Sequence, residues 1–122
     1  MTVIGIDHVQ VAAPAGCEGD ARAFYGKLLG MEELPKPEPL RARGGCWFRA
    51  GAQELHVGVE DPFAAARKAH PGLAVSDLAA LRARLGAGGV DYEDDSTLEG
   101  VDRLYVHDPF GNRLELCEIA SG

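Results

Sequence analysis

Hydrophobic and polar residues alternate in short runs along the chain, and the runs fall into two sets of the same order. Residues 2–13 alternate with period two. Val9, Val11 and Ala13 take one face of this predicted strand, and Ile4, Ile6, His8, Gln10 and Ala12 the other. The period then changes. Ala21, Phe24, Tyr25, Leu28 and Leu29 form the apolar stripe of a helix, with Asp20 in its first turn, Lys27 in its last and Gly30 at its stop. Residues 31–35 predict a short strand, and the alternating Pro35, Pro37 and Pro39 an extended loop. Residues 46–50 and 54–59 predict a hairpin around Gly51; Leu55, Val57 and Val59 share one face, His56 and Gly58 the other, and Glu54 lies at the margin.

A polar stretch at 60–69 separates this set from the next. Residues 70–76 predict a strand with His70, Gly72 and Ala74 opposite Leu73 and Val75. Asp77 caps a helix carrying Leu78, Leu81 and Leu85, which Gly86, Gly88 and Gly89 end. A short strand at 90–94 and an acidic loop at 95–100 lead to a hairpin at 103–118 around Asp108-Pro109-Phe110-Gly111-Asn112. In its second strand Leu114 and Leu116 share one face; Arg113, Glu115 and Cys117 share the other.

The order strand, helix, strand, strand, strand therefore occurs twice. It predicts an α+β fold of two βαβββ modules within one domain over 1–122: module 1 at 3–59, a linker at 60–69 and module 2 at 70–119. Length suffices for a real core. Composition mainly excludes. With 12 Lys+Arg against 19 Asp+Glu the net charge is −7, which disfavours nucleic acid and anionic membranes as partners. No apolar run reaches a membrane span and no signal segment opens the chain, so the expected location is the cytoplasm. Cys17, Cys46 and Cys117 are an odd, widely spaced set that suits a reducing compartment and argues against a thiolate zinc site.

Four polar residues fall on the repeat. His8 and His70 stand near the start of each module, His56 and Glu115 on the last strand of each, all on strand faces with small or apolar neighbours. A lone inward histidine is most often a satisfied core residue, whereas an unpaired buried carboxylate is costly. Three histidines and a carboxylate at matching places point to a metal centre, and the pseudo-twofold relation of the modules would bring them towards one point.

Three motifs add a resemblance: Ile6-Asp7-His8-Val9-Gln10-Val11, Ala23-Phe24-Tyr25-Gly26-Lys27-Leu28-Leu29-Gly30-Met31 and Asp108-Pro109-Phe110-Gly111-Asn112-Arg113-Leu114-Glu115-Leu116. Together they resemble the vicinal oxygen chelate superfamily, which holds glyoxalase I, fosfomycin-resistance thiol transferases, methylmalonyl-CoA epimerase, extradiol dioxygenases and bleomycin-binding proteins. The resemblance spans nearly the whole chain. It implies a curved mixed sheet around an open cavity, and metal ligands on the first and last strands of each module, which match His8, His56, His70 and Glu115. Glyoxalase I commonly has a carboxylate where this chain has His56. The resemblance further implies a homodimer whose sites lie at the subunit interface, with His8 and His56 from one chain and His70 and Glu115 from the other.

Nitrogen and oxygen donors suit a divalent transition ion such as Zn, Ni, Mn, Fe or Co better than Ca. Such a site would hold a small substrate by two adjacent oxygens and stabilise a developing enolate or alkoxide. Tyr105, on the strand facing Glu115, matches a tyrosine of the fosfomycin enzymes and joins Glu115 as a catalytic candidate; Gln10, Trp47 and Arg103 join Tyr105 as candidate substrate contacts. Six acids within 91–102 (Asp91, Glu93, Asp94, Asp95, Glu99 and Asp102) would repel a phosphonate and sit poorly beside glutathione carboxylates. The expected function is a metal-dependent lyase, isomerase or transferase of the glyoxalase type. The alternative is a metal-free antibiotic-binding protein of the bleomycin-resistance type, whose members have usually lost the ligand tetrad.

Overall fold

The computed structural model describes residues 2–119, and the chain divides into two compact units, Met1–Ala64 and Ala65–Gly122. In the first unit β1 spans His8–Ala13. Helix α1, Glu18–Ala21, continues as a π-helix over Arg22–Leu28; then follow β2 (Glu33–Leu34), α2 (Glu38–Arg41), β3 (Cys46–Ala50) and β4 (Gln53–Val59). The sheet order is β1-β4-β3-β2, with β1 parallel to β4 and the other pairs antiparallel. The second unit repeats this plan as β5 (Gly72–Val75), α3 (Leu78–Ala87), β6 (Tyr92–Asp94), β7 (Arg103–His107) and β8 (Arg113–Glu118). Its order is β5-β8-β7-β6, again with one parallel pair, β5 with β8. Two mixed four-stranded sheets with few helices form the α+β fold read from the sequence.

Each unit has its own core. In the first, Val11 and Ala13 of β1, Phe48 of β3 and Leu55 and Val57 of β4 are buried with Ala21, Phe24 and Tyr25. The Tyr25 ring meets Phe24 edge-on at 5.0 Å and tilts against Phe48 at 5.8 Å. In the second, Leu78, Leu81 and Leu85 of α3 are buried, as are Leu104, Val106, Leu114 and Leu116 of the sheet. Asp77 caps α3 as read: its carboxylate accepts the Ala80 N–H at 3.0 Å, and Glu118 of β8 accepts the Leu78 N–H at 3.0 Å.

Four local expectations differ from what forms. β1 starts at His8 because its register with β4 begins at His8↔Glu54, close to the start of β4 at Gln53; Ile4 and Ile6 stay exposed. The first helix widens to a π-turn, with the Leu29 N–H donating to the Phe24 carbonyl at 2.9 Å, so the 3.6-residue stripe loses phase and Leu28 and Leu29 are only half-buried. Pro39 lies in the first turn of α2, where a missing N–H is tolerated, so a helical turn replaces part of the extended loop. β5 starts at Gly72, and His70 precedes it. Among the described residues no helix is long and apolar enough to cross a membrane.

Gly45 opens β3 at a point where only glycine fits. Its φ is +88°, and a Cβ there would come within 2.0 Å of the Val57 carbonyl oxygen. Gly51, with φ +62°, faces open space. Gly45→Ala is therefore expected to cost about 3 kcal/mol or more in urea unfolding, and Gly51→Ala only about 1 kcal/mol. Equal losses at the two positions would contradict the packing described.

Candidate functional site

In the second unit, β8 is the inner strand, flanked by β5 and β7. Its Leu114 and Leu116 point into the core, so the two-residue period turns Arg113, Glu115 and Cys117 to the opposite face. Glu115 is in register with Tyr105 on β7 and Gly72 on β5. A Cβ added at Gly72 would meet nothing within 4 Å, so the face beside Glu115 is open at this position. His70 reaches the same face: its Nε2 is 3.3 Å from Glu115 Oε1, and its ring meets Tyr105 edge-on at 5.5 Å.

The tautomer of His70 follows from its other contact. Nδ1 lies 2.8 Å from the Lys68 carbonyl, which only accepts, so Nδ1 carries the proton. Nε2 then faces a carboxylate oxygen, as an acceptor in the neutral ring and as a donor to Glu115 in the protonated one. Two acceptors at this distance need a proton or a cation between them. An N and an O placed 3.3 Å apart can both reach one transition ion at the usual ~2.0–2.2 Å ligand distance. The Lys68 carbonyl behind Nδ1 is the kind of support that orients a metal-bound histidine.

The first unit brings together a comparable group. His8 and Glu54 are lateral partners across the parallel β1–β4 pair, and Gln10 is the partner of His56. His8 donates from Nδ1 to Asp7 at 2.9 Å, which leaves its Nε2 with a lone pair. His56 is stacked between two rings, His8 at 4.3 Å and Trp47 at 3.9 Å. It donates from Nε2 to Glu54 Oε1 at 2.9 Å. The side chain of His56 is 7% exposed and that of Glu54 30%, so the carboxylate is the more accessible donor of the two. Gln10 lies across Gly58, where an added Cβ would fall 2.7 Å from its side-chain nitrogen. The structure thus pairs His8 with His56, and His70 with Glu115. Among the described residues no group of three or more His, Cys, Asp and Glu side chains is arranged to hold an ion.

The acidic segment is partly neutralised within its own unit. Arg82 of α3 binds Asp102 with both terminal nitrogens, at 2.5 and 3.2 Å, and Asp94 through Nε at 3.0 Å. Hydrogen bonds from Arg82 hold the Asp102 carboxyl below the ordinary range. Asp95 is lowered likewise, first by the Thr97 hydroxyl and then by the Thr97 N–H. Arg103 is engaged as well: it donates to Thr97 at 2.9 Å and lies 3.3 Å from Asp95 and 3.5 Å from Glu115. Three of the six acids therefore meet an arginine, and the repulsion expected from the sequence is correspondingly reduced.

The chain matches the family model described as Glyoxalase/Bleomycin resistance protein/Dioxygenase superfamily over residues 5–116. The chain belongs to this superfamily. Its structure is similar to that of a glyoxalase family protein from Bacillus anthracis, at 53% identity, 97% coverage of each chain and a TM-score of 0.94. A curated relative, Glyoxylase I 4 of Arabidopsis thaliana, is 27% identical over 95% of this chain and 71% of its own length. The lactoylglutathione lyase of Agrobacterium tumefaciens shares the fold at 22% identity and a TM-score of 0.73, covering 97% of this chain and 96% of its own. FosX, the fosfomycin resistance protein of Listeria monocytogenes, does so at 14% and 0.78, covering 98% and 97%.

Two residues in the contacts of the candidate site were left aside by the sequence pattern. Glu54 shares the period-two face of His56, and that alternation was the available signal. Lys68 acts through its carbonyl and has none. Elsewhere in the first unit a cavity of about 310 Å³ is lined by Glu18, Arg22, Glu33, Lys36, Arg41 and Cys46. Its charges are spent locally: Arg22 on Glu33, Lys36 on the Gly44 carbonyl, Arg41 on the Lys36 carbonyl and Glu18 on the Gly45 N–H. Burial pushes the Cys17 thiol up to about 11, helped by the adjacent Glu18 carboxylate, and burial also raises Cys46. Cys117 is half-exposed. Below pH 9 an alkylating reagent should therefore label Cys117 in the native protein and all three thiols only in denaturant, as read by mass spectrometry. Rapid native labelling of Cys17 would contradict its assignment as a buried, protonated thiol.

Proposed function

We propose that this chain is a metal-dependent enzyme of the glyoxalase type, a lyase, isomerase or transferase acting on a small molecule that presents two adjacent oxygens. The observation that carries this reading is the facing of His70 Nε2 and Glu115 Oε1, two metal-ligand atoms held 3.3 Å apart on an open strand face. His70 and Glu115 supply two donors. His8 supplies a third through Nε2, and the Glu54–His56 pair the fourth, with Glu54 reaching the ion and His56 orienting its carboxylate. In a homodimer the donors of the first unit of one subunit meet those of the second unit of the other. When bound, a divalent ion such as Mn, Fe, Co, Ni or Zn supplies a Lewis acid that stabilises negative charge developing on the substrate. Tyr105 faces the substrate beside Glu115, while Gln10 and Trp47 line the other side.

Calorimetric titration of metal-free protein with Mn or Zn is expected to show about one ion per subunit. Affinity should fall as pH falls through the range in which histidine protonates, because proton and ion compete for the same nitrogen. Glu115→Gln should weaken binding about 100-fold or more, and His56→Ala roughly 10–100-fold, the usual cost of losing a group that orients a ligand. Absence of binding after reconstitution with all five ions would favour the metal-free, drug-binding alternative.

The shared site has its own test. A chain with His8→Ala and Glu54→Ala, and another with His70→Ala and Glu115→Ala, should each bind metal poorly. Mixed, they should regain tight binding at one site per heterodimer. A confirmed heterodimer that binds no better than its parents would rule the shared site out.

A further inference from the structure

Arg113 is a charged residue beside the proposed centre that neither the fold nor the metal reading uses. It stands two residues before Glu115 on β8 and on the same face. Its guanidinium carbon lies 4.0 Å from the Tyr105 ring centroid, a close cation–π contact. Among the described residues that is its side chain's one polar or ring interaction; no carboxylate or carbonyl takes its N–H groups. Arg103, the other arginine on this face, is committed to Thr97, Asp95 and Glu115.

Arg113 is also well placed. It directly follows a turn in which the Asp108 carboxylate accepts the N–H groups of Phe110 at 2.9 Å and Asn112 at 2.8 Å, and the Asn112 side-chain amide at 2.9 Å. Asp108 and Asn112 are both buried, so the start of β8 is fixed. The guanidinium sits over the Tyr105 ring, and no hydrogen bond or ion pair among the described residues engages its N–H groups. That arrangement suits a planar carboxylate approaching edge-on.

From this geometry we infer that the substrate carries a carboxylate, distinct from the oxygens that chelate the ion, and that Arg113 binds it over the Tyr105 ring. The inference rests on the proposed metal site for the identity of the chelating end. Two strand positions separate Arg113 from Glu115, about 6.6 Å along the chain, so the carboxylate stands a few bonds from the chelating oxygens. The pairing of Asp94, Asp95 and Asp102 with Arg82 and Arg103 offsets part of the charge that would oppose an anion here, and Glu93, in register with Tyr105, is the acid an incoming carboxylate would meet on this face.

The test uses two simple probes, 2-oxoglutarate and 2-oxopentanoate, which share a chelating 2-oxo acid and differ in the distal carboxylate. Calorimetry on metal-loaded wild-type protein is expected to show a preference of about tenfold or more for 2-oxoglutarate, the scale of a charge-assisted pair. Arg113→Met should abolish that preference and Arg113→Lys should keep only part of it. Metal affinity, measured separately, should be no weaker in either variant. A wild type without preference for 2-oxoglutarate, or an Arg113→Met variant that keeps it, overturns the assignment. Repeating the probes on metal-free protein separates the two readings: loss of metal binding with a surviving Arg113-dependent preference contradicts the metal centre alone.

Discussion

The constraint on which the structure depends is the parallel pairing of the first strand of each unit with its last. In both sheets the last strand ends up inside, between a parallel neighbour and its own hairpin partner: β4 between β1 and β3, β8 between β5 and β7. One face of each inner strand is closed by the core, through Leu55 and Val57 in one and Leu114 and Leu116 in the other. A slip of one residue would drive Glu54 and His56, or Arg113 and Glu115, into that core and expose the leucines. Register is therefore tightly set, and with it the position of every polar group on the opposite face. Histidines that enter from the first strand, or from just before it, land beside carboxylates 45 and 46 residues away: His70 beside Glu115 and His8 beside Glu54.

Electrostatic economy follows from this placement. The chain is net acidic, yet several acids of its second unit are matched: Arg82 takes Asp94 and Asp102, and Arg103 spans Asp95 and Glu115. What stays unmatched is informative. The Lys68 carbonyl fixes a proton of His70 on Nδ1 and turns its Nε2 towards Glu115. The stacked Arg113 keeps a fork of donors. In the proposed reading the His70–Glu115 pair takes a cation and the donor fork an anion, so the same face would hold both halves of a chelated acid.

Much of this was legible in the sequence, and the reason is periodicity. The alternation of Leu114 and Leu116 with Arg113 and Glu115 named the inward and outward faces of β8 correctly, and the Asp108–Asn112 turn announced its hairpin. The repeated order of elements foretold two like sheets. Illegible were effects that depend on three-dimensional partners: the π-turn that dephases Leu28 and Leu29, the start of β1 at His8, and the start of α2 beside Pro39. Glu54 lay on the same alternation as His56 but at a strand end, where boundaries are least certain. The pairing of the acids by Arg82 could not be seen at all, because it joins a helix to a loop and a strand through folding alone.

The most direct measurement is the protonation state of the His70 ring itself. Long-range proton–nitrogen correlation NMR on histidine-labelled protein, titrated with Zn, reads the two ring nitrogens separately. The account predicts that Nδ1 stays protonated throughout, held by the Lys68 carbonyl, while the Nε2 resonance moves to that of a metal-bound nitrogen and saturates with the ion. An Nε2 signal unchanged at saturating Zn, or a ring that binds through Nδ1 instead, would contradict it.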